Sequence, residues 1–391
     1  MPWKEFSVMS RRYEFVSQVL QKDQNFSALC RAFGISRKTG YKWLHRFQEG
    51  GLEALRDRPR RPHRTPRRTP EAMEDQICAV RQQHPTWGGR KIHAFLRRQG
   101  VSSLPSPSTI TAILRRRGFL DPEESLKHRP YQRFQRAHPN ELWQMDFKGA
   151  FLLRGGVLCH PLTLLDDHSR FLVGLYACGD QTRETVQRCL EDAFQRYGFP
   201  EALLVDNGSP WGQIQQEKRV YTGLEVWLLR LGIQVVHSRP YHPQTLGKDE
   251  RLHRTLEEEL LRTLQAEDLE GCQREFDRWR RMYNEERPHE ALGMDPPALW
   301  YERSARGYGE GQEPWVYPAG AQMRKVDVTG RISFRGQGIR VGKAFRGVRV
   351  AVYEIGEEGE CEIYYGRQRI KRVTLRTNPH GQNTKAIQSK V

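Results

Sequence analysis

The sequence has few cysteines, and no two of them form a Cys-x-x-C pair. All seven are scattered along the 391 residues, which argues against a zinc finger and against a secreted disulfide framework. Long apolar runs are also missing, since stretches such as residues 171–178 are far too short to cross a bilayer. The first ten residues show no apolar signal segment. We therefore expect an intracellular protein with no membrane partner.

Positive charge is concentrated in the first third of the chain. The formal net charge is +17. Residues 1–136 hold 28 Lys and Arg against 12 Asp and Glu, so nearly all of the excess lies there. A basic excess beside helical patterns is typical of nucleic-acid binding, and a basic surface that only aids solubility is the alternative.

Residues 1–55 are predicted to form a helix-turn-helix domain. Apolar spacing of three and four predicts three short helices within residues 10–48. Gly34 supplies the turn, and Ser36 caps a third helix over residues 37–47. The start of such a helix enters the major groove of DNA, and a plain three-helix cap is the alternative. The residues expected to contact DNA there are Arg37, Lys38, Tyr41 and Lys42.

Residues 56–70 form a linker with seven arginines and four prolines. An extended arginine-rich arm can follow phosphates or enter a narrow minor groove, and a simple basic spacer is the alternative. The DNA contacts expected from it are Arg58, Arg60, Arg61, Arg64, Arg67 and Arg68. Residues 71–120 predict a second helical, helix-turn-helix-like DNA-binding domain, and residues 121–140 a polar linker.

Residues 141–305 alternate strands and helices as in a ribonuclease H-like α/β domain. Three strands are followed by helix, strand, helix, strand and a long helix over about residues 247–264, an order that predicts a mixed sheet. The strands are predicted at residues 142–147, 157–165, 171–177, 202–205 and 233–236. Residues 320–376 are rich in β-branched and aromatic residues and predict a small β-barrel, and residues 377–391 predict a disordered tail.

Three acidic residues of this central domain have the placement of a metal-dependent phosphodiester site. Asp146 lies in the first strand, Asp206 directly follows a buried strand, and Glu250 lies on a helix. Active sites gather at strand ends in α/β sheets. Helical spacing turns Leu252 and Leu256 away from Glu250, so the leucines can hold the helix on the core. Carboxylates so placed could hold two Mg²⁺ or Mn²⁺ ions that stabilise the attacking and leaving oxygens of an in-line transfer.

The same segments resemble the integrase core of bacterial insertion-sequence transposases, relatives of retroviral integrases with an Asp-Asp-Glu triad. The resemblance rests on Trp-Gln-Met-Asp at 143–146, Leu-Asp-Asp-His-Ser-Arg at 165–170, Val-Asp-Asn-Gly at 205–208, Pro-Gln-Thr-Leu-Gly-Lys-Asp-Glu-Arg-Leu-His-Arg-Thr-Leu at 243–256 and Tyr-Asn-Glu-Glu-Arg-Pro-His at 283–289. It implies that the catalytic residues and metal ligands are Asp146, Asp206 and Glu250. The family pattern Gly-Lys-x-Glu-Arg selects Glu250 over its neighbour Asp249.

Other acids and cations near the triad are weaker candidates. Asp166 and Asp167 lie at a predicted hairpin tip and have little claim as ligands. Asp206 and Glu250 are 44 positions apart, longer than the family pattern, and the extra length is expected within residues 209–221. Three neighbours of Glu250 are expected to hold DNA phosphates, with ordinary surface charge as the alternative: Lys248, His253 and Arg254.

The sequence thus predicts a DNA transposase that binds the terminal inverted repeats of an insertion sequence, nicks 3′ ends and joins them to target DNA. Because two DNA ends must meet, a homodimer or larger homo-oligomer on double-stranded DNA is expected. A cytoplasmic, nucleoid-associated location in a bacterium follows. The alternatives are a catalytically silent DNA-binding descendant of a transposase and a stand-alone nuclease of the ribonuclease H-like class.

Overall fold

The computed structural model describes residues 8–21, 25–57, 69–120, 135–215, 218–238, 247–309, 315–355 and 359–375. The chain divides into two compact units, residues 1–68 and residues 69–391. The six predicted arm arginines between 58 and 68 and the predicted tail lie outside the described residues. No helix of the described ranges carries an apolar stretch long enough to span a bilayer.

The first unit is the predicted helix-turn-helix, which the structure confirms. Its helices are α1 (Val8–Leu20), α2 (Phe26–Ala32) and α3 (Arg37–Gly50). The Ser36 side chain accepts a hydrogen bond from the Thr39 N–H and so caps α3 as predicted. Helix α3 runs three residues beyond the predicted end, and Trp43 joins Phe15 and Leu29 in the buried core.

Three more helices form a second helical unit, residues 69–120. They are α4 (Glu71–Gln83), α5 (Gly89–Arg98) and α6 (Pro107–Arg116). Trp87, Ile92 and Ile110 are fully buried between them. The Ser106 side chain caps α6 through the Thr109 N–H, and proline at the first position of α6 suits a helix start. This second helical region is also as predicted.

The central α/β domain, described over residues 135–215, 218–238 and 247–309, is built on a six-stranded mixed sheet. Strand order is β2-β3-β1-β5-β8, with β4 also paired to β3. Strands β1, β5 and β8 run parallel, while β3 is antiparallel to β1 and β4, so the predicted mixed sheet is confirmed. Its strands, with a separate β6–β7 hairpin, are β1 (Leu142–Phe147), β2 (Phe151–Leu152), β3 (Leu158–Asp166), β4 (Leu172–Cys178), β5 (Ala202–Val205), β6 (Gln213–Gln215), β7 (Lys218–Val220) and β8 (Gln234–His237).

Helices cover both faces of this sheet. Two of them, α7 (Arg183–Tyr197) and α8 (Gly223–Arg230), bury Met145 and Leu164 on one face. The other two, α9 (Gly247–Glu259) and α10 (Leu269–Glu285), bury residues such as Leu165 and Leu175 on the opposite face. Side chains of a strand point to alternate faces. Met145 therefore faces the α7/α8 layer, and Asp146 faces the α9/α10 layer.

The predicted end of helix α9 at residue 264 was wrong. The helix ends at Glu259, and Leu260 leaves the helical conformation before a short 3-10 turn, Leu261–Thr263. Leu260, Leu261 and Leu264 still pack against the same buried cluster as α9. The apolar residues keep a helix-like spacing beyond Glu259 although the helix has ended. This spacing is why the predicted helix was too long. Helix α10 was not predicted, although its buried residues repeat every three or four positions.

The second helical unit packs on the α/β domain through α5 and the loop before it. The Thr86 hydroxyl donates to Glu259 at 2.7 Å, and the Arg98 guanidinium donates to the Met294 carbonyl at 3.0 Å. Arg90 forms an ion pair of 3.0 Å with Glu290. These contacts use cations of α5 and leave much of α6 exposed.

The C-terminal domain, described over residues 315–355 and 359–375, is rich in strands. Four of them form a sheet of order β14-β13-β12-β9, and β10 pairs with β11 in a hairpin. No closed sheet is found among the described strands, so the small barrel stays a prediction. Buried Val350 and Ile363 share a core with Val226 and Leu229 of helix α8. The strands are β9 (Gln322–Lys325), β10 (Arg331–Phe334), β11 (Gln337–Arg340), β12 (Arg349–Ile355), β13 (Glu360–Tyr365) and β14 (Gln368–Thr374).

Candidate active site

Asp146 and Asp206 lie on neighbouring parallel strands at the same edge of the sheet. The register pairs Leu142 with Ala202 and Gln144 with Leu204. The same offset brings Asp206, one residue past β5, opposite Asp146 near the end of β1. Neighbouring strands are about 4.8 Å apart, so the sheet itself brings these two carboxylates together.

Residues at the end of strand β8 form hydrogen bonds with the backbone and the side chain of Asp206. The Ser238 hydroxyl donates to Asp206 Oδ1 at 2.9 Å, and His237 Nδ1 lies 3.2 Å from the Asp206 carbonyl oxygen. His237 Nε2 is in turn 2.9 Å from the buried carboxylate of Glu225 on α8. Glu225 also accepts from Arg219 at 2.9 Å. These buried side chains fix the turn that carries Asp206, and no local sequence pattern indicates them.

Helix α9 presents Glu250 to solvent and buries its neighbour Asp249. Asp249, Leu252 and Leu256 are all buried, whereas Glu250 is exposed. Neither carboxyl oxygen of Asp249 has a hydrogen-bond partner among the described residues. Burial raises the pKa of Asp249 well above its usual value, and the charges of Asp146 and Asp167 add to this effect. Only Glu250 of this pair is open to a cation or to DNA from solution.

The pKa of Asp146 is affected by the other two predicted acids. Burial raises the pKa of the Asp146 carboxyl to about 6, against a lowering hydrogen bond from the Phe147 N–H, and the charges of Asp206 and Glu250 add to the increase. Negative charges near a partly buried carboxyl favour its protonation or a nearby cation. Asp206 and Glu250 are thus near enough to act electrostatically on Asp146, and both are exposed to solvent.

His253, one turn along α9 from Glu250, lies between Asp146 and strand β3. Its Nδ1 is 3.9 Å from Asp146 Oδ2, and its Nε2 is 2.9 Å from the Thr163 hydroxyl oxygen. Burial lowers the pKa of His253 to about 4, helped by the positive charge of Lys148. The imidazole is therefore neutral near pH 7.

Five family matches cover most of the chain in the order of the observed domains. A helix-turn-helix domain matches residues 11–63 and a homeodomain-like domain residues 39–114. Two integrase core domains match residues 136–243 and 231–297. The C-terminal domain of the IS481 transposase family matches residues 321–380.

Full-length similarity points the same way. A putative transposase for insertion sequence element IS5376 from Geobacillus stearothermophilus is 22% identical over 381 residues, which is 93% of this chain and 88% of that protein. The chain is thus similar over most of its length to an insertion-sequence transposase, and its central domain matches integrase core domains. An uncharacterized 39.2 kDa protein of insertion element IS476 from Xanthomonas euvesicatoria is 26% identical over 240 residues, 58% of this chain and 64% of that protein.

Among solved structures, the integrase catalytic core domain of HTLV-2 in complex with magnesium is 15% identical to this chain. The match covers 42% of this chain and 99% of that chain, with a TM-score of 0.31.

Carboxylates suit hard divalent cations, which prefer oxygen ligands. Among the described residues, however, no group of three or more His, Cys, Asp or Glu side chains is placed to hold a metal ion. Burial is the main cause of the raised pKa of Asp146, and the charges of Asp206 and Glu250 add to it, so a positive charge near Asp146 would be stabilising.

Lys248, predicted to hold DNA, instead pairs with a buried acid. Its ammonium group donates to the Asp167 carboxylate and, at 3.2 Å, to the Asp167 carbonyl oxygen. Burial lowers the pKa of Lys248 to about 8, and the nearby charge of Arg170 lowers it further, while Asp167 acts in the opposite direction. A DNA contact by Lys248 stays a prediction.

The two acids of the β3–β4 turn are structural. Asp166 accepts hydrogen bonds from Ser169 and from the Asn140 N–H, at 2.6 to 2.8 Å. Asp167 accepts from Gln144 at 2.6 Å. These two carboxylates are almost fully buried, so their oxygens serve the turn and not a metal ion.

The remaining predicted DNA contacts are exposed where they are described. Arg254 is exposed on α9. On α3 the exposed positions include Tyr41, which stacks on Phe26 with ring centroids 4.2 Å apart, and Lys42, which lies over the Trp43 ring at 4.8 Å. Arg37 and Lys38 are exposed at the start of the same helix.

Proposed function

We propose that this chain is a DNA transposase that binds the terminal inverted repeats of its insertion sequence, nicks their 3′ ends and joins them to target DNA. Asp146, Asp206 and Glu250 are the catalytic acids and hold two Mg²⁺ or Mn²⁺ ions. The observation that carries the proposal is the parallel register of β1 and β5, which places Asp206 opposite Asp146 at one edge of the sheet. Asp146, Asp206 and Glu250 would hold these ions through their carboxylate oxygens.

The chemistry needs no covalent intermediate with the protein. When bound, the two ions stabilise the charge on the attacking and leaving oxygens of the in-line phosphoryl transfer. Water is the nucleophile in the nicking step, and the freed 3′-hydroxyl is the nucleophile in the joining step. The chain's own contribution is to fix the carboxylates: the β1–β5 register fixes the aspartates, and the buried face of α9 fixes Glu250.

DNA recognition falls to the basic N-terminal region in this proposal. The exposed cations of α3 lie at the start of the second helix of a helix-turn-helix, the part that enters the major groove. Synapsis of two ends calls for at least a homodimer on DNA. The six arm arginines between 58 and 68 are proposed to add phosphate or minor-groove contacts, and the reaction takes place at the nucleoid in the cytoplasm.

The test is a strand-transfer assay on a labelled terminal-repeat duplex with a plasmid target, in Mg²⁺, Mn²⁺ or EDTA. Asp146→Asn, Asp206→Asn and Glu250→Gln are each expected to abolish joining while DNA binding is kept. Asp249→Asn is the matched control. Burial keeps the Asp249 carboxyl protonated, and asparagine replaces it with a neutral amide of the same shape. Joining is therefore expected to survive in Asp249→Asn.

Each contrary outcome points to a different function. Joining that survives Glu250→Gln but not Asp249→Asn would move the third acid to Asp249. Absence of joining on authentic ends, with sequence-specific binding kept, would favour a catalytically silent DNA-binding protein. Metal-dependent cleavage without preference for terminal-repeat sequence would favour a nuclease.

A further inference from the structure

We propose that Lys91 of helix α5 and Arg251 of helix α9 bind one backbone phosphate of the terminal-repeat DNA. This phosphate lies between the bases that the second helical unit is predicted to contact and the bond that is cut. The inference rests on the proposed function, because it takes the ligand to be the end of an insertion sequence. Neither residue is among the DNA contacts expected from the sequence.

Lys91 lies in the first turn of α5, where the second helical unit packs on the α/β domain. Its neighbour Arg90 forms an ion pair of 3.0 Å with Glu290. Thr86, in the loop before α5, donates a hydrogen bond to Glu259 at 2.7 Å. Lys91 is half-buried at this junction, and both sides of the junction belong to one compact unit of the chain.

The two acids near Lys91 already have arginine partners. Glu259 accepts a hydrogen bond from the Arg287 guanidinium at 3.0 Å, and Glu290 is paired with Arg90. Among the described residues, the Lys91 ammonium group forms no hydrogen bond or ion pair. A partly buried cation without a direct partner is unfavourable unless an anion binds beside it.

Arg251 adds a second cation at the same junction. It is exposed on α9, next to Glu250, and its guanidinium has no hydrogen bond or ion pair within the ranges that the structure describes. The pKa of Lys91 is lowered to about 8, first by burial and then by the charge of Arg287, with a contribution from Arg251, while the two paired acids oppose this. Arg251 is thus near enough to act on Lys91, and the junction carries an excess of positive charge.

A buried imidazole beside these cations also lacks a partner. His289 ends the segment Tyr-Asn-Glu-Glu-Arg-Pro-His at 283–289, to which the sequence assigns no role. Its Nε2 is buried and has no hydrogen-bond partner among the residues described. The pKa of His289 lies well below its usual value because of burial and then the charges of Arg287 and Lys91. A negative charge bound here would relieve this repulsion.

A phosphodiester group is the anion that suits this junction. Lysine and arginine bind phosphate oxygens through charge-assisted hydrogen bonds. Lys91 belongs to the second helical unit, and Arg251 is next to a predicted catalytic acid. A duplex that contacts both the second helical unit and the carboxylates must cross the junction between them, where these two cations lie. The site therefore contributes affinity without reading a base.

The test is a scan of the terminal-repeat duplex with single methylphosphonate groups, each of which removes one phosphate charge. Equilibrium binding to the full chain is measured. For the wild type, one such group between the recognised bases and the cut bond is expected to weaken binding roughly tenfold. Lys91→Met should weaken binding to the unmodified duplex by a similar factor and should be insensitive to that one group. Its salt dependence should fall by about one.

Two further variants make the scan decisive. Arg251→Met changes an exposed side chain and should lose sensitivity to the same methylphosphonate, so the test stands even if Lys91→Met fails to fold. Arg278→Met, at an exposed arginine of α10 paired with Glu275 at 2.9 Å, is the control and should show the wild-type pattern. Thermal unfolding with inorganic phosphate at constant ionic strength tests binding of a free anion. The phosphate should raise the Tm of the wild type more than that of Lys91→Met.

The outcomes separate this inference from the proposed function. If the wild type joins terminal-repeat ends but Lys91→Met and Arg251→Met respond to every methylphosphonate as the wild type does, the phosphate site is wrong and the transposase function stands. If inorganic phosphate stabilises the wild type through Lys91 but no methylphosphonate distinguishes the variants, the site takes a free anion and its assignment to DNA is wrong. If the wild type neither binds nor joins terminal-repeat ends, the proposed function fails and this inference fails with it.

Discussion

Lys248 at the start of helix α9 forms a buried ion pair with Asp167 in the turn between strands β3 and β4. Asp167 is 1% exposed, and it also accepts hydrogen bonds from Gln144 of β1 and from the Arg136 N–H. The pair therefore ties the first turn of α9 to the strand that carries Asp146. Glu250 lies two residues further along the same turn, so this contact helps to fix the position of the Glu250 side chain.

Lys248→Met is expected to reduce strand transfer and stability without weakening DNA binding. Removal of the ammonium leaves Asp167 buried without its cation, at a cost of about 3 kcal/mol, and frees the start of α9. A loss of roughly 10- to 100-fold in joining is expected, as for partners that orient metal ligands. Joining rates, urea unfolding and equilibrium binding to a terminal-repeat duplex measure the three quantities.

Arg254→Met is the matched comparison on the same helix. Arg254 is exposed, so its loss should leave stability unchanged. If Arg254 contacts a phosphate, binding weakens and the dependence of log affinity on log salt falls by about one. If Lys248→Met joins DNA normally but its DNA binding depends less on salt, Lys248 contacts DNA phosphates and does not position α9.

In the absence of metal, folding stability should depend on pH through Asp146. Its pKa is raised to about 6 in the folded chain, against about 3.9 for an unperturbed carboxyl. The stability it contributes is fully present below pH 4 and is lost as the pH rises through 6. In EDTA at pH 7, Asp146→Asn should melt a few degrees above the wild type, and the difference should vanish near pH 4. Melting curves that stay parallel across this range would contradict the assignment.

Lys42→Ala in helix α3 should weaken binding of the full chain to a terminal-repeat duplex. Lys42 is exposed at the start of the second helix of the helix-turn-helix, where phosphate and base contacts are made. The salt dependence of binding is expected to fall by about one. Arg274→Ala, an exposed arginine of α10 paired with Glu270 at 2.9 Å, is the control. Equal effects of the two changes would exclude a specific role for Lys42.

Glu259→Gln should loosen the second helical unit from the α/β domain. Glu259 is buried and accepts from Thr86 of that unit and from Arg287. Loss of its charge leaves Arg287 without a counter-charge, which costs about 3 kcal/mol. Faster proteolysis of the second helical unit is the expected readout, with Glu258→Gln, at an exposed neighbour, as control. Identical digestion of both variants would show that this contact does not hold the unit in place.

Local patterns were enough to predict much of the fold. Ser36 caps a helix where predicted, because capping depends on a few neighbouring residues. The strand that leads into Asp206 was predicted because its four residues are all apolar. The structure shows that all four are buried. The direction of Leu252 and Leu256 followed from helical geometry alone, and both are buried as expected.

What the sequence did not reveal depends on residues far apart in the chain. The pair of Lys248 and Asp167 joins positions 81 residues apart, and no local pattern encodes it. The burial of Asp249 could have been predicted, since it lies three residues before Leu252 and on the same face of α9.

The docking of α5 on the α/β domain has a consequence for the length of the DNA site. If the second helical unit binds DNA, as the sequence predicts, the bases that it contacts and the bond that is cut at Asp146 are held by one compact unit of the chain. The length of duplex between these two positions, and the helical rotation between them, are then fixed. Five inserted base pairs would turn the recognised bases to the opposite side of the duplex, since B-DNA repeats about every 10 base pairs. The DNA between the recognised bases and the cut bond can therefore change in sequence far more freely than it can change in length.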